Sequence, residues 1–395
     1  MKKFLLKTFL GSALMAGLLS SCGEDRSGEY YALISSKSWM YETMQQYYLF
    51  YQDLPDKEEL NFFDTPANFL SATVSDKDKK NGYTFSHIDS IPESRSSMSE
   101  YPCFGFEGAL IRTSSGDYAI RVIYTEKDSP AEKAGLKRGD WIIAADNKAI
   151  TSNDYNTYIK APAKSYTFTM GTYNGEGFDT IPTPITMPQP EYVKINNLLK
   201  TSIVTAGNRK AAYLLYNSFG EDDTQDLQQA MTQLAAEQPT DVILDLRYNP
   251  GGYVNTSMVL ASMLAPAEAV GKTYINLLYN DKREEKTTFL IDAAYRTGGT
   301  TFSYNNLYII TSGETASASE AVINGLKPYM QGKLFQVGTA TFGKNLGQEL
   351  FNSEEAPQLN FWLTTFYLAN SEGFYDYFDN GLPADYTIEE DFSGE

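Results

Sequence analysis

From residue 195 onward, apolar strand patterns alternate with helical patterns, and this alternation limits the fold more than any other feature. Residues 211–216, 242–246 and 307–310 are short apolar runs of the kind that form buried strands. Residues 222–237 and 256–264 carry apolar side chains at helical spacing. Strands that are joined through helices pair side by side in one direction. We therefore predict an α/β domain with a mainly parallel sheet.

The rest of the chain divides into segments of different character, and 395 residues are enough for two or three domains. Residues 28–82 are predicted to be helical, and the polar residues 86–100 to be a linker that contains His87. Residues 103–190 show short alternating strands separated by glycines. The predicted domains are 22–100 (helical, with its linker), 101–190 (β-rich) and 191–395 (α/β). The aromatic face of the helical segment, which is expected to pack against a neighbouring domain, is formed by Trp39, Thr43, Met44, Tyr47, Tyr48 and Tyr51.

Residues 1–21 have the pattern of a secretion signal. Basic residues precede an apolar run over residues 9–19, which is too short to span a membrane. The run ends in Leu-Ser-Ser-Cys, which places Cys22 where bacterial lipoproteins are cleaved and acylated. The alternative is an ordinary signal peptide followed by an unrelated cysteine. We expect Cys22 to carry a lipid anchor that holds the chain at a membrane.

The residues after Cys22 bear on location. Glu24 and Asp25 resemble the surface-export signals of some Gram-negative lipoproteins. The expected location is the cell envelope of a Gram-negative bacterium, at the outer membrane. Whether the chain faces the periplasm or the outside is left open.

Composition narrows the classes of ligand. The formal net charge of −18 disfavours binding to nucleic acid and to anionic lipid headgroups. The chain has one histidine, His87, and two cysteines, Cys22 and Cys103, a set that disfavours a zinc site. Acylation of Cys22 would leave Cys103 without a disulfide partner in the chain. A zinc site is therefore not expected.

A glycine pair follows one of the predicted buried strands. Residues 245–252 read D-L-R-Y-N-P-G-G, and a helix is predicted after them. Gly251 and Gly252 would let the backbone approach a ligand closely and direct amides at developing negative charge. Taken alone, the same pattern fits a tight turn between a strand and a helix.

Ser317 lies where another predicted strand passes into a helix, in the string T-A-S-A-S-E. A serine at a helix start is most often a cap. The small neighbours Ala316 and Ala318 would leave its hydroxyl accessible, and a helix N-terminus favours an oxyanion. The serine is therefore a candidate nucleophile.

The base for such a serine is expected to be a lysine, because His87 lies far upstream in a polar segment. Residues 341–348 read T-F-G-K-N-L-G-Q, with Lys344 after a glycine and Gln348 four residues later. A lysine in such a position is usually a charge that faces solvent. To act as a base it must be largely neutral, which requires an apolar pocket without a carboxylate partner. Gln348 could hydrogen-bond and orient its amine.

Together these strings resemble the carboxyl-terminal processing peptidases, also called tail-specific proteases, over nearly the whole chain after the signal sequence. The string D-S-P-A-E-K-A-G-L-K-R-G-D-W-I at residues 128–142 resembles the PDZ domains of bacterial proteases. The resemblance implies a multidomain α/β protein with an N-terminal helical segment, a PDZ-like β-rich domain and a ClpP/crotonase-like α/β peptidase core. Residues 381–385 (G-L-P-A-D) look like the closing segment of the family.

The resemblance also implies roles for particular residues. Ser317 would be the nucleophile, Lys344 the general base and Gln348 its orienting partner. The implied oxyanion hole is formed by the backbone amides of Ala318 and of Gly251 or Gly252. The implied loop for the terminal carboxylate of a peptide comprises Phe104, Gly105 and Phe106. Some proteins of the family carry an acidic residue at the position where this chain has Pro328. An acidic residue is therefore not expected as a third member of the catalytic group.

The implied reaction is hydrolysis of peptide bonds through an acyl-enzyme, without a cofactor. The expected substrates are polypeptides that are unfolded or are recognised by their C-termini, and the oligomeric state is left open. The alternatives are an inactive lipoprotein of the same fold that binds peptides or other ligands, a crotonase-like acyl hydrolase, and a serine–histidine enzyme that uses His87. Intact Ser317, Lys344 and Gln348 disfavour the first alternative, and the PDZ-like segment disfavours the second.

Overall fold

The computed structural model describes residues 27–90, 99, 101–296, 303–354, 356–357 and 359–390. The signal sequence and Cys22 lie outside these residues. The chain divides into two compact units. The first comprises Met1–Ile91, Asn280–Arg283 and Gln348–Thr365, and the second comprises Pro92–Tyr279, Glu284–Gly347 and Phe366–Glu395.

Two α-helices dominate the described N-terminal part of the first unit. They are α1 (Ser27–Tyr47) and α2 (Pro66–Thr73). Helix α2 begins at a proline, whose fixed φ suits the first helical position, and Thr65 caps it by accepting a hydrogen bond from the Asn68 N–H at 3.2 Å. The helical prediction for residues 28–82 is confirmed in part, because short 3-10 turns and strands occupy the rest. These are the turns Tyr51–Asp53, Lys57–Glu59 and Asp76–Asp78 and the strands β1 (Lys79–Lys80) and β2 (Tyr83–Thr84).

The aromatic face predicted for the helical segment is a packing face within the first unit. Tyr48 is completely buried. The Trp39 ring meets the Phe361 ring edge to face at 5.8 Å, and the Tyr47 ring lies 5.0 Å from the Phe351 ring. Aromatic pairs at these separations stabilise packing beyond the area that they bury.

The predicted linker at residues 86–100 is wrong at its beginning. His87–Ser90 form strand β3, which pairs antiparallel with the start of β19 (Leu359–Ala369). The side chain of His87 is about half exposed and stacks on Trp362, with ring centroids 6.1 Å apart. A mostly polar tetrapeptide forms a strand here because an edge strand obtains its backbone hydrogen bonds from a partner that is distant in sequence, which local composition does not reveal.

The β-rich domain predicted at 101–190 lies in the second unit. Proline starts helix α3 (Pro130–Lys133), and Gly135 and Gly139 adopt a φ of +87°, a conformation that suits glycine at a helix end and in a turn. Its sheet has the order β10-β8-β6-β5-β4, with β7 beside β6 and β9 beside β8. The strands are β4 (Phe106–Arg112), β5 (Tyr118–Thr125), β6 (Trp141–Ala145), β7 (Lys148–Ala149), β8 (Thr167–Tyr173), β9 (Phe178–Thr180) and β10 (Ile185–Thr186), and one turn of π-helix spans Asn156–Lys160.

The predicted parallel sheet is confirmed in the same unit. Within the described chain the strand order is β11-β12-β13-β16-β17-β20, and each neighbouring pair is parallel except β11 with β12. The strands are β11 (Leu198–Ala206), β12 (Arg209–Tyr216), β13 (Asp241–Asp245), β16 (Asn306–Thr311), β17 (Leu334–Gly338) and β20 (Tyr386–Thr387). The helices are α4 (Thr224–Ala236), α5 (Val254–Leu264) and α6 (Ala318–Leu326). Parallel strands end at one edge of the sheet, so the segments after β13 and β16 meet there.

Further strands complete the described chain. Strand β14 (Thr273–Tyr279) pairs antiparallel with β15 (Thr287–Leu290) and with the last residues of β19, and β18 spans Leu346–Phe351. Short 3-10 turns lie at Ala267–Ala269, Ala293–Tyr295 and Lys327–Tyr329. Over the residues that the structure describes, no helix has the length and apolar character needed to cross a bilayer.

Candidate active site

Ser317 stands in a strained backbone conformation at the start of α6. Its φ of 56° and ψ of −115° lie in a region that non-glycine residues rarely adopt, at a cost of about 1–3 kcal/mol. Such strain persists only where the surroundings impose it, and it is concentrated at functional sites. The side chain is less accessible than the small neighbours suggested, because the residue is only 8% exposed.

The glycine turn after β13 lies directly against Ser317. A Cβ atom at Gly251 would lie 2.7 Å from the Ser317 Cβ and 3.0 Å from the Ala318 nitrogen. Glycine is therefore required by this close approach as well as by its φ of +113°. The structure thus brings together two of the segments that the sequence singled out.

The two candidate glycine amides differ in what they contact. The Gly251 N–H donates to the side-chain oxygen Oδ1 of Asn249 at 2.9 Å. Gly252 has a φ of +134° and is exposed, and a Cβ there would lie 2.3 Å from the Phe219 carbonyl oxygen. Because the first amide already has an acceptor, this arrangement favours Gly252 as the partner of Ala318 in an oxyanion hole.

Hydrogen bonds hold the glycine turn and the serine turn together. The Asn249 carbonyl accepts from the Ala316 N–H at 3.1 Å and from the Ser319 hydroxyl at 3.0 Å. The Thr315 hydroxyl donates to the Leu246 carbonyl at 2.8 Å. These bonds fix the position of the glycine amides relative to the serine, which is what stabilisation of a charged intermediate requires.

Lys344 belongs to a loop that is attached to the same place. The Phe342 N–H donates to the Thr315 carbonyl at 2.9 Å, and Gly343 adopts a φ of +92°. Lys344 itself is half-buried. The structure therefore places the backbone of the predicted base beside the serine turn.

Glu320, to which the sequence analysis gave no role, joins the backbones of the nucleophile and the base. Its carboxylate is completely buried. One oxygen, Oε2, accepts hydrogen bonds from the Ser317 and Lys344 N–H groups, both at 2.8 Å. The other, Oε1, accepts from the Gly343 N–H at 2.6 Å and from the Thr341 hydroxyl at 2.5 Å. The two nitrogens bound to Oε2 are therefore no more than twice 2.8 Å apart.

Burial and hydrogen bonding act in opposite directions on this carboxyl group. Burial raises the pKa of Glu320 above its ordinary value, and the four donors around it partly offset the rise. The phenol of Tyr377 is also buried, and burial together with the nearby Glu320 raises the pKa of that phenol. A local sequence signal for the glutamate exists, since Ser followed three residues later by Glu is the capping-box pattern.

Gln348 belongs to the first unit, whereas Ser317 and Lys344 belong to the second. It lies on β18 and is half-buried. Its amide nitrogen Nε2 donates to the Thr364 hydroxyl at 3.3 Å. The amide is thus attached to β19 within its own unit.

The loop predicted to bind a peptide carboxylate through its backbone amides has buried aromatic side chains. Phe104 and Phe106 are buried in the core of the β-rich domain. Gly105 has a φ of +72°, and a Cβ there would lie 2.5 Å from the Ser129 Cβ. Only the backbone of this loop can therefore face a ligand.

A cavity of about 390 Å³ lies beside this loop and is bordered by carboxylates. Glu107 accepts hydrogen bonds from the Tyr155 hydroxyl at 2.6 Å and from the Lys160 amine at 2.7 Å. Glu126 is buried, and burial raises its pKa. These charges would be close to any peptide that bound there.

The sequence singled out two further groups, Cys103 and His87. Cys103 is buried and carries a free thiol. The Nδ1 atom of His87 lies 2.8 Å from the Phe85 carbonyl oxygen. Among the described residues, no group of three or more His, Cys, Asp or Glu side chains is arranged to hold a metal ion.

Comparisons with known proteins agree with this architecture. A family model described as peptidase family S41 matches residues 210–388, and one described as the S41 N-terminal domain matches residues 35–87. A PDZ-domain model matches residues 121–165. The N-terminal helical segment, the PDZ domain and the peptidase core are thus present in the predicted order.

Curated relatives carry matching names. The chain is 27% identical to a carboxy-terminal-processing protease of Bartonella bacilliformis, over 66% of this chain and 57% of the relative. It is 26% identical to the carboxy-terminal processing protease CtpB of Bacillus subtilis, over 62% of this chain and 48% of the relative. The chain thus spans about half the length of the curated relatives it matches.

A solved structure covers more of the chain. The crystal structure assigned to an S41 protease of Bacteroides fragilis superposes with a TM-score of 0.78 at 29% identity, over 89% of this chain and 90% of that one. Together the two S41 family models match more than half of the 395 residues. The chain therefore belongs to peptidase family S41.

Proposed function

We propose that this protein is a serine endopeptidase that hydrolyses peptide bonds with Ser317 as nucleophile and Lys344 as general base. The observation that carries the proposal is the Glu320 carboxylate, which accepts hydrogen bonds from the backbone N–H groups of both residues. A buried carboxylate that ties two loop segments together is expected where a nucleophile and its base must keep a fixed geometry.

In the proposed reaction the Ser317 hydroxyl attacks the substrate carbonyl while the Lys344 amine accepts its proton. The amides of Ala318 and Gly252 stabilise the oxyanion that forms, each contributing on the order of 3 kcal/mol to the transition state in comparable sites. Lys344 then protonates the leaving amine, which leaves an acyl-enzyme on the serine. The same lysine activates the water that hydrolyses the ester.

Gln348 is proposed to orient the Lys344 amine. The glutamine follows the lysine by four residues on the chain and enters strand β18. A side-chain oxygen that accepts one amine N–H would direct the nitrogen lone pair towards the serine proton. No other step of the reaction requires the glutamine.

The proposed substrates are polypeptides that are unfolded or carry a recognised C-terminus. Their capture is assigned to the backbone amides of Phe104, Gly105 and Phe106, by addition of an extended peptide to the edge strand β4. The support is that β4 is the last strand of its sheet within the described chain. A lipid on Cys22 is proposed to tether the enzyme in the envelope of a Gram-negative bacterium.

The test uses the chain from residue 23 onward and a disordered protein such as casein as substrate. We expect cleavage by the wild type, and none by Ser317→Ala or Lys344→Ala although both variants fold. Lys333→Ala is the matched control, because Lys333 is an exposed lysine of the same core. Cleavage that survives Ser317→Ala, or Lys344→Ala with normal turnover, would overturn the proposal. A rate unchanged in His87→Ala would exclude a serine–histidine enzyme.

A further inference from the structure

We infer that Asp78 is a positioning residue that, through the Thr364 hydroxyl, fixes which end of the Gln348 amide faces away from β19. The direction of the amide does not depend on the proposed function. Its catalytic consequence rests on the proposed function, because it requires Gln348 to orient the Lys344 amine. The hydrogen bonds that determine its direction all lie within the first unit. They involve groups that the proposed reaction does not itself employ.

Asp78 is completely buried and is surrounded by donors. Its oxygens accept from the Tyr48 hydroxyl at 3.0 Å and from the Thr364 hydroxyl at 2.6 Å. Ser86 contributes two further hydrogen bonds, one from its side chain and one from its backbone. The hydroxyls of Tyr48 and Thr364 are the donors in these contacts, so each of them uses its single proton on Asp78.

The Tyr48 hydroxyl shows that this assignment is consistent. Its oxygen accepts a hydrogen bond from the Ser75 N–H at 3.0 Å. That contact uses a lone pair, and it leaves the single phenolic proton for Asp78. The carboxylate therefore sets the direction of every hydroxyl that touches it.

The same reasoning determines the orientation of Gln348. Thr364 has one hydroxyl proton, which it donates to Asp78, so it can only accept from the glutamine. The group that faces it must be the amide nitrogen Nε2, which lies 3.3 Å away, and the carbonyl oxygen Oε1 points away from Thr364. The two ends of a glutamine amide have nearly the same shape, so the donor–acceptor sequence decides between them.

This direction matters for the proposed base. A carbonyl oxygen can accept an N–H of an amine and so hold its lone pair in place, whereas an amide NH₂ can only donate. If the amide were reversed, its NH₂ would compete for the lone pair that must take the serine proton. If Gln348 holds the amine as proposed, Asp78 and Thr364 decide which atom of its amide is offered.

The chain offers a matched pair of substitutions to test this. Thr364 and Thr365 are adjacent and completely buried, but the Thr365 hydroxyl has no hydrogen-bond partner among the described residues. Valine has nearly the volume of threonine and lacks the hydroxyl. We expect Thr364→Val to lower kcat on the disordered substrate by about 10- to 100-fold with KM within about twofold, in the range seen when catalytic groups lose their orientation. Thr365→Val should keep full kcat, and Thr364→Ser should restore it.

A second readout does not depend on peptidase activity. The side-chain amide protons of Gln348 are observed by NMR in the ¹⁵N-labelled chain from residue 23 onward, and their signals are assigned by their loss in Gln348→Leu. In the wild type we expect a nuclear Overhauser effect between these protons and the Thr364 methyl group. We also expect their exchange with water to become about 10-fold faster in Thr364→Val and to stay unchanged in Thr365→Val.

These outcomes separate the two proposals. Absence of the Overhauser effect in the wild type would overturn the inference even if Thr364→Val failed to fold. Equal losses of kcat in the two valine variants would reduce Thr364 to a packing role and would also overturn it. If the NMR results agree but no protein cleaves the substrate, the proposed peptidase function fails while the orientation of Gln348 stands.

Discussion

Asp78 in the first unit and Glu320 in the second unit are both completely buried carboxylates that accept four hydrogen bonds. Their donors differ in kind. Three of the four donors to Glu320 are backbone N–H groups, which cannot turn away from it. Three of the four donors to Asp78 are hydroxyls, which can rotate. Glu320 therefore fixes the path of the main chain, and Asp78 fixes the direction of side-chain protons.

The largest effect is expected for Glu320→Gln. The amide keeps the size of the carboxylate but places an NH₂ group against a backbone N–H of Ser317, Gly343 or Lys344. Because each buried donor that loses its acceptor costs about 1–3 kcal/mol, we expect the free energy of unfolding to fall by about 3 kcal/mol. Displacement of the two loops should lower kcat by roughly 100-fold or more. Urea denaturation and steady-state kinetics measure both quantities.

The control for this variant is Glu314→Gln, which changes the same charge at an exposed position in the same segment. We expect it to stay within about 0.5 kcal/mol of the wild type and to keep its activity. A folded Glu320→Gln protein with the stability and rate of the control would show that the carboxylate does not hold the two loops.

A smaller loss is expected for Thr341→Val, which removes the one hydroxyl donor to Glu320. That hydroxyl also accepts the Leu382 N–H at 2.7 Å, so the substitution leaves a second buried group without a partner. We expect the free energy of unfolding to fall by about 2 kcal/mol. Thr339→Val, at a half-buried position on the same loop, should change it by less than about 0.5 kcal/mol. Equal values for both variants in urea denaturation would contradict the role given to Thr341.

Asp78→Asn should cost less than Glu320→Gln, because hydroxyls can turn to accept from the new NH₂ group. We expect the free energy of unfolding to fall by about 1 kcal/mol. Denaturation of the two variants under identical conditions gives the comparison directly. If Asp78→Asn is the more destabilised of the two, rotation of the hydroxyls does not compensate and the contrast between the carboxylates fails.

The two carboxylates also differ in how far their partners lie along the chain, and this distance decides how much of their surroundings the sequence could predict. Glu320 lies three residues after Ser317, and this spacing is a recognised helix-start pattern, so its contact with the Ser317 N–H could have been found by local reasoning. The meeting of Gly251 with Ser317 follows from the parallel sheet, because both residues come directly after strands that end at one edge.

Two of the donors to Asp78 could not be found in this way. Thr364 lies 286 residues further along the chain, and Tyr48 lies 30 residues before it. Strand β3 was missed for the same reason, since its partner β19 is equally remote in sequence. Periodicity did predict the α4 face correctly, because helical spacing depends on neighbours only. The buried residues on that face are Leu227, Ala230, Met231 and Leu234.

The smallest expected effect is a difference in how the free energy of unfolding depends on pH. It tests whether burial raises the pKa of each carboxyl group by more than the hydrogen-bond donors lower it. Burial raises the pKa of Glu320 and of Asp78 above their ordinary values of 4.5 and 3.8. The folded protein then binds these protons more tightly than the unfolded chain does. As the pH rises above the ordinary value the unfolded chain loses the proton first, so the folded state loses stability until its own raised pKa is passed.

Glutamine and asparagine do not titrate, so the unfolding free energy of each variant provides the reference. We expect the wild type to lose stability relative to Glu320→Gln, and relative to Asp78→Asn, as the pH is raised from about 4 to about 8. Urea denaturation at several pH values in this range measures the two differences. If the wild type instead gained stability relative to either variant as the pH rises, the donors would lower the pKa of that carboxyl group below its ordinary value. If the gain occurred at Glu320 alone, fixed backbone donors would be stronger than rotating hydroxyls at equal burial.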